Sequence, residues 1–573
     1  MDADLILFNG RVATLGPNRA TASAVAIKDG RFLAVGADAE AMGARGPTTR
    51  VVDLNGRTVI PGLNDSHIHV IRGGLNYNME LRWDGVPSLA DAMAMLRDQA
   101  RRTPPPQWVR VIGGWSEFQF AERRMPTLDE INAAAPDTPV FVLHLYDRAF
   151  LNGAALRALG YTRATPVFPG AEMQRDRIGN PTGLLIARPN ALILYASLAG
   201  GPKLSHDDQL DSSRQFMREL NRFGVTSVID AGGGFQNYPD DYHVIKELAS
   251  EGLLTIRFAY NLFTQRPREE LDDFRKWVSM THPGEGDDFF HMNGAGEMLV
   301  FSGADFEDFL EPRPDLPPEM ERELQSVVRL LVENRWPFRL HATYDESITR
   351  FLNVFEKIDR DIPFGGIRWF LDHAETISDR NMERVKALGG GIAIQDRMAF
   401  QGEHFVRRYG ARAAERTPPI ARMLSMGIPV GAGTDATRVA SYNPWVSLYW
   451  LVSGKTVGGS RLYPASNRLD RTEALRLYTL GSAWLSGEED KKGSIEVGKL
   501  ADLSALSEDY FSIPEERIKG VESVLTVVDG KVVYGAEEFA ALGPPPIPAS
   551  PDWSPVNTYG GYHREEVFDR RAA

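Results

Sequence analysis

Eight short apolar runs, separated by stretches of helical periodicity, leave this chain few architectures to choose from. They are Thr58-Val-Ile, Val225–Asp230, Leu254–Tyr260, Glu297–Phe301, Phe338-Arg-Leu-His341, Ile367–Asp372, Gly391–Gln395 and Ile428–Gly433. Between them, amphipathic spacing predicts helices over Asp208–Arg222, Glu319–Asn334, Asp345–Ile358, Asp379–Leu388 and Pro418–Met426. Strand–helix alternation repeated eight times predicts an α/β fold, a parallel (β/α)8 TIM barrel over residues 58–489. In such a barrel the functional side chains gather at the C-terminal ends of the strands. At 573 residues the chain is too long for a barrel alone, so further domains must accompany it.

The ends of the chain read as β. Asp4–Thr14 and Ser23–Gly36, with Asp29-Gly30 as a hairpin signal, are matched near the far end. There, Ala501–Leu506, Val521–Val528 and Lys531–Tyr534 surround Asp529-Gly530. Too few strands lie at either end to make a stable sheet, so residues 1–57 and 490–540 are expected to form one composite β-sandwich domain. From His69 to Val225 the chain runs 156 residues, far more than one strand–helix unit requires. This excess carries apolar runs at Trp108–Ile112 and Pro139–Leu145 and helices near Leu89–Arg101 and Ala149–Leu159. It is read as an inserted α+β subdomain, residues 75–205, after strand 1 and over the barrel mouth. Residues 541–573 form a Pro-rich arm whose Trp553, Tyr559 and Tyr562 suggest packing on a neighbouring surface, of this subunit or another.

Candidate metal ligands fall in register with this pattern. His67 and His69, two apart on an extended segment, point to one face. His341 and His373 each end a predicted strand and lie 32 residues apart; Asp435 follows 62 residues later. A barrel of about 250 residues in eight units averages about 31 per unit, so these spacings equal one unit and two. Taken singly, His341 and His373 read as core histidines and Asp435 as a helix cap. Taken in register, they converge on one rim. Imidazole and carboxylate are the donors of a catalytic zinc site, with a position left for water, and Asp435 is the candidate general base and acid.

Composition narrows the partners. No cysteine is present, which excludes disulfides and thiolate ligands and fits a cytoplasmic protein. A net charge of −13 argues against nucleic acid, and no secretory signal or membrane-spanning run is visible.

Together these segments resemble the metal-dependent amidohydrolase superfamily, specifically its YtcJ-like group. The resemblance is carried by Val59–His69, Leu340–Asp345, Phe370–Glu375, Gly431–Asp435 with Asn443-Pro444, and Gly493–Leu503. It implies a barrel with a terminal β-sandwich and hydrolysis of a small-molecule amide-type bond. It further implies one or two divalent metal ions, Zn²⁺ foremost, and a homodimer. Deamination, cyclic-amide or ester hydrolysis and decarboxylation on the same centre stay open, as does a metal-free structural relative. By position His67, His69, His341, His373 and Asp435 correspond to metal-binding residues. Glu297 stands where many relatives carry a bridging carboxylated lysine. Candidate substrate contacts are Trp115 as an aromatic wall, Arg148 and Arg438 as anion anchors, and Tyr344 beside the strand-5 ligand. His144, within an apolar run, is read as a core histidine.

Overall fold

The computed structural model describes residues 1–17, 21–166, 171–187, 191–233, 236–306, 309, 313 and 315–563. Its centre is a parallel eight-stranded sheet whose strands lie in chain order. They are Leu63–Ile68, Val225–Asp230, Arg257–Leu262, Phe290–Ala295, Phe338–Ala342, Trp369–His373, Gly391–Gln395 and Val430–Gly433. The ends of the sheet meet. Asp435 N–H donates to the His67 carbonyl at 2.7 Å, and His69 N–H to that of Ala436 at 2.8 Å. The expected barrel is therefore present and closed. Surrounding helices bury a single stripe. Met320–Glu333 turns Met320, Leu324, Val327, Val328, Leu331 and Val332 inward, the spacing of one helical face. Each such side chain contributes about 1.5–3 kcal/mol.

Two barrel strands differ from the sequence reading. Thr58–Pro61 is not the first barrel strand; it pairs with Leu503–Leu506 and with Arg11–Ala13 in a different sheet. The barrel begins one residue after Gly62, with Leu63-Asn-Asp-Ser-His-Ile. The fourth strand is Phe290–Ala295, and Glu297 stands beyond its end rather than opening a strand. Both true strands carry polar residues on their inward faces, and an apolar-run criterion passes over them.

The sheet that takes Thr58–Pro61 draws three strands from each end of the chain. Its order is Lys531–Gly535, Ser523–Val528, Leu503–Leu506, Thr58–Pro61, Arg11–Ala13 and Thr21–Ala22. A four-stranded sheet (Arg31–Gly36, Ala24–Lys28, Leu5–Phe8, Arg50–Asp53) shares a core with it that includes Leu5, Val25, Val59, Leu503 and Leu525. Asp29 (φ 49°) and Gly30 (φ 73°) make the tight turn that Asp-Gly favours, as do Asp529 and Gly530.

The long insertion forms its own six-stranded sheet, from Glu80–Leu81 to Pro181–Ala187, with helices Leu89–Arg102, Leu128–Ala134 and Gly153–Leu159. The helix expected from Ala149 begins only at Gly153, behind an Asn152 cap; Arg148–Leu151 is a strand. Arg82 donates to the Thr437 carbonyl at 3.2 Å, which ties the insert to the loop after the eighth barrel strand. The Pro-rich arm packs on its own chain. Gln99 donates to the Trp553 carbonyl (2.8 Å), Ser554 to that of Asn78 (2.6 Å), and His563 Nε2 to that of Arg82 (2.7 Å). Residues 564–573 of that arm lie outside the described residues. Among the described residues no helix is long and apolar enough to cross a membrane.

Candidate metal centre

Strand direction brings the ligand candidates to one rim. Asp65 fixes the seam between the first and last strands, accepting from His67 N–H (3.0 Å), Thr434 N–H (3.1 Å) and the Thr434 hydroxyl (2.6 Å). Burial raises its carboxyl to about 6 despite those donors. Just above, His67 Nε2 lies 3.4 Å and His69 Nε2 3.3 Å from Asp435 Oδ1. Glu297 faces both sides of the rim. Its Oε2 is 3.6 Å from His67 Nε2, 3.1 Å from His341 Nδ1 and 3.3 Å from His373 Nε2, and its Oε1 is 3.6 Å from His69 Nε2. All six side chains are buried. His373 (φ 78°) and Asp435 (φ 55°) both occupy the left-handed region, strain of the kind that clusters at functional sites.

Other residues hold the imidazoles in place. His67 Nδ1 sits 2.9 Å from Asp372 Oδ1, which leaves Nε2 toward the rim, and Arg339 pairs with both oxygens of Asp372. His69 Nδ1 donates to the Gly232 carbonyl. Asp305 accepts from Thr343 and Tyr344 N–H at 2.8 and 3.0 Å and lies 3.6 Å from His341 Nε2; burial pushes its carboxyl up to about 7. Glu297 and Asp435 behave oppositely. Burial would raise both, but the surrounding histidines, His67 foremost, hold each carboxyl well below the usual carboxylate range.

These residues suit a divalent cation. His67 Nε2 and His373 Nδ1 are buried with no hydrogen-bond partner, a state that costs free energy unless an electron-pair acceptor occupies the site. Three overlapping sets (His67, His69, Glu297; Glu297, His341, His373; His67, His373, Asp435) each place their donor atoms within 4.8 Å of one another. The donors are all nitrogen or oxygen, the set preferred by zinc and by the harder first-row metals.

The structure brings together all six metal-site candidates from the sequence, and of the four proposed substrate contacts Trp115, Tyr344 and Arg438 are buried. Arg438 lies just past Asp435, buried against the Tyr195 ring. Tyr344 is buried, with the Arg313 guanidinium 5.1 Å from its ring centre. Trp115 is wholly enclosed in the insert core, donating to the Leu143 carbonyl at 2.9 Å, so it packs rather than lines a wall. Arg148 pairs with its neighbour Asp147 and lies on the insert sheet. Arg72, Asp372, Arg339 and Asp305 went unnoticed in the sequence. Arg72, Arg339 and Asp372 each stand within three residues of a candidate ligand, His69, His341 and His373, whereas Asp305 has no such neighbour.

A second titratable cluster joins insert to barrel. His144 bridges Asp147 (2.6 Å) and Glu117 (3.0 Å), and Glu117 reaches His404, on the helix after the seventh strand, at 3.1 Å. The donor atoms of Glu117, His144 and His404 also lie within 4.8 Å of one another, but here the carboxylates already pair with imidazoles. His144 is thus a buried histidine with both ring nitrogens bonded, and a link in an ionic chain. Burial would lower its pKa, yet Asp147 and Glu117 raise it to about 9. The resulting stabilisation is fully present below the unfolded value, about 6.5, and is lost as pH rises through about 9. Tm measured against pH should therefore fall more steeply across that window in the wild type than in His144→Gln; parallel curves would remove this role.

Comparison with known proteins gives consistent results. The profile described as Amidohydrolase family matches residues 50–534. The chain is 26% identical over 550 residues to N-substituted formamide deformylase of Arthrobacter pascens, spanning 93% of this chain and 98% of that one. It is 26% identical over 505 residues to putative amidohydrolase YtcJ of Bacillus subtilis (strain 168), spanning 85% and 91%. Among solved structures, an uncharacterized metal-dependent hydrolase from Pyrococcus horikoshii OT3 superposes with a TM-score of 0.64 at 20% identity. That match covers 89% of this chain and 99% of the other, a likeness of fold.

Proposed function

The chain belongs to the amidohydrolase family and is a hydrolase of carbon–nitrogen bonds other than peptide bonds, and from that premise we propose that its substrate is a small-molecule amide. The proposed centre would take two divalent ions, Zn²⁺ foremost, held by His67, His69, Glu297, His341, His373 and Asp435. The observation that carries this reading is the convergence of four imidazoles and two carboxylates, with His67 Nε2 and His373 Nδ1 buried and unpartnered.

Bound there, the metal supplies Lewis acidity toward the carbonyl oxygen and acidifies a water. The chain supplies the rest. Asp435, kept ionised by its histidines, accepts the proton of the attacking water and returns it to the leaving nitrogen. Asp372 and Arg339 fix the His67 ring, so its Nε2 does not have to reorient during turnover. Buried walls exclude bulk water and strengthen each charge interaction within.

The test is product analysis of N-formyl, N-acyl and cyclic amides with added divalent metals. Amine plus carboxylate in equal amounts is the expected result. Ammonia as the nitrogen product, or CO₂, would replace amide cleavage with deamination or decarboxylation on the same centre.

A further inference from the structure

Beside the metal centre stand two buried arginines that feel Asp230 and Glu80 at a distance but bond to neither. Arg72 follows His69 by three residues, and Arg438 follows Asp435 by three; their side chains converge on Tyr195. The guanidinium carbons lie 5.7 and 4.3 Å from its ring centre. Their residues are only 7% and 8% exposed. Neither arginine forms an ion pair among the described residues, and Arg72 Nε and Arg438 Nη1 have no hydrogen-bond partner. Among the described residues, the one side-chain hydrogen bond from this pair is a long one, 3.5 Å from Arg72 Nη2 to the Tyr146 hydroxyl. Gln236, buried nearby, leaves both its amide atoms unpartnered; a Cβ on Gly233 would touch Gln236 Oε1 and Arg72 Nη1 alike.

The nearest acids are committed elsewhere. Glu80 bonds Arg82 at 3.0 Å, and Asp230 accepts from Ile71 and Gly232 N–H at 2.9 and 2.8 Å. Tyr146 cannot serve as an anion, because burial and the adjacent Tyr195 push its phenol well above the usual tyrosine range. Burial and the neighbouring Arg72 lower the Arg438 guanidinium. Two cations enclosed together without a bonded anion are costly, and a fold keeps such an arrangement where a ligand completes it.

We propose that Arg72 and Arg438 form a carboxylate-binding subsite, so that the amide cleaved at the metal centre carries a carboxylate of its own. This rests on the hydrolytic reading for the second half of the statement only. A guanidinium fork matches a carboxylate in geometry as well as charge, and two forks that both lie against one aromatic ring can share its two oxygens. The amide donor and acceptor of Gln236 lie ready for the neighbouring polar atoms of the same ligand. Position supports the link to catalysis. The Gly232 carbonyl that holds His69 is followed directly by Gly233, against which Arg72 lies, and Tyr146 lies within electrostatic reach of Asp435.

The experiment titrates metal-loaded protein with the n-alkanoates from acetate to hexanoate and with the matching n-alkanamides, reading Tm and calorimetric affinity. At least one carboxylate is expected to bind about 100-fold more tightly than its amide, a preference abolished in Arg438→Met and Arg72→Met. Arg438→Lys, which keeps the charge without the fork, should retain part of it and guards against a folding defect. Ligand-free Arg438→Met is also expected to have a higher Tm than the wild type, since an uncompensated charge has been removed; a merely structural arginine would give a lower one. Equal binding of acid and amide by the wild type, or a preference that persists in both methionine variants because the carboxylate sits on the metal, overturns the proposal. Carboxylate selectivity without cleavage of any amide would keep the subsite and remove the hydrolytic reading; amide cleavage without selectivity would do the reverse.

Discussion

Replacing Asp435 with asparagine is expected to lower kcat by about 10³-fold, the scale of a lost general base and acid. Asparagine keeps the shape and can still donate or accept a hydrogen bond, but it cannot take a proton. The position leaves little room for a substitute. Asp435 Oδ1 is 3.3 to 3.4 Å from the nearer nitrogens of both His67 and His69, while Glu297 is engaged with His67, His341 and His373. Asp65, another carboxyl buried nearby, is committed to the Thr434 hydroxyl and to the backbone N–H groups of His67 and Thr434. Steady-state kinetics with metal analysis on the same sample decides the matter. Wild-type turnover in a metal-replete variant would exclude Asp435 from proton transfer, and loss of metal in parallel with activity would make it a ligand first.

The second large effect is expected at Glu297. One carboxylate stands among the nitrogens of His67, His69, His341 and His373, and those imidazoles hold it ionised. Glu297→Gln removes that charge with little change of volume. The wild type should carry two ions per chain and the variant at most one, with kcat/KM down by more than the 10–100-fold typical of residues that only support a ligand. Tm should fall as well. A ligand at a thousand times its Kd contributes about 4 kcal/mol to the folded state, and chelation of the wild type should reproduce the same drop. Two ions retained by the variant would show that the imidazoles and Asp435 suffice, and Glu297 would become a neighbour of the site instead of its centre.

How far the sequence disclosed this arrangement depends on where each residue obtains its position. His341, His373 and Asp435 were legible because each ends a strand, and the repeat of the barrel converts strand ends into neighbours. The strands that build the site were harder to find than those that merely support it. Leu63–Ile68 holds Asn64, Asp65, Ser66 and His67, and Phe290–Ala295 holds His291 and Asn293, so neither reads as an apolar run. An apolar criterion selects the flanking stretches Thr58–Ile60 and Glu297–Phe301 in their place. Arg72 and Arg438, 366 residues apart, could not be paired from the sequence, and although Arg339 and Asp372 share the one-unit spacing of His341 and His373, that spacing does not say which side chains meet. Trp115 shows the converse error. A tryptophan after two glycines suggested a pocket wall, but its indole N–H finds a backbone carbonyl inside the insert core, and nothing in the local sequence distinguishes these two fates.

The seam where the cylinder shuts coincides with the site. Asp435 is bonded through its own backbone to His67, and His69 to Ala436, so the first ligands to leave the ribosome wait for the last before they share a rim. During synthesis 368 residues beyond His67 must emerge before the pocket exists, and an immature chain offers a cation only scattered imidazoles. Loading with metal thereby becomes a signature of complete biogenesis, and cofactor occupancy in a purified sample doubles as a census of molecules that finished folding.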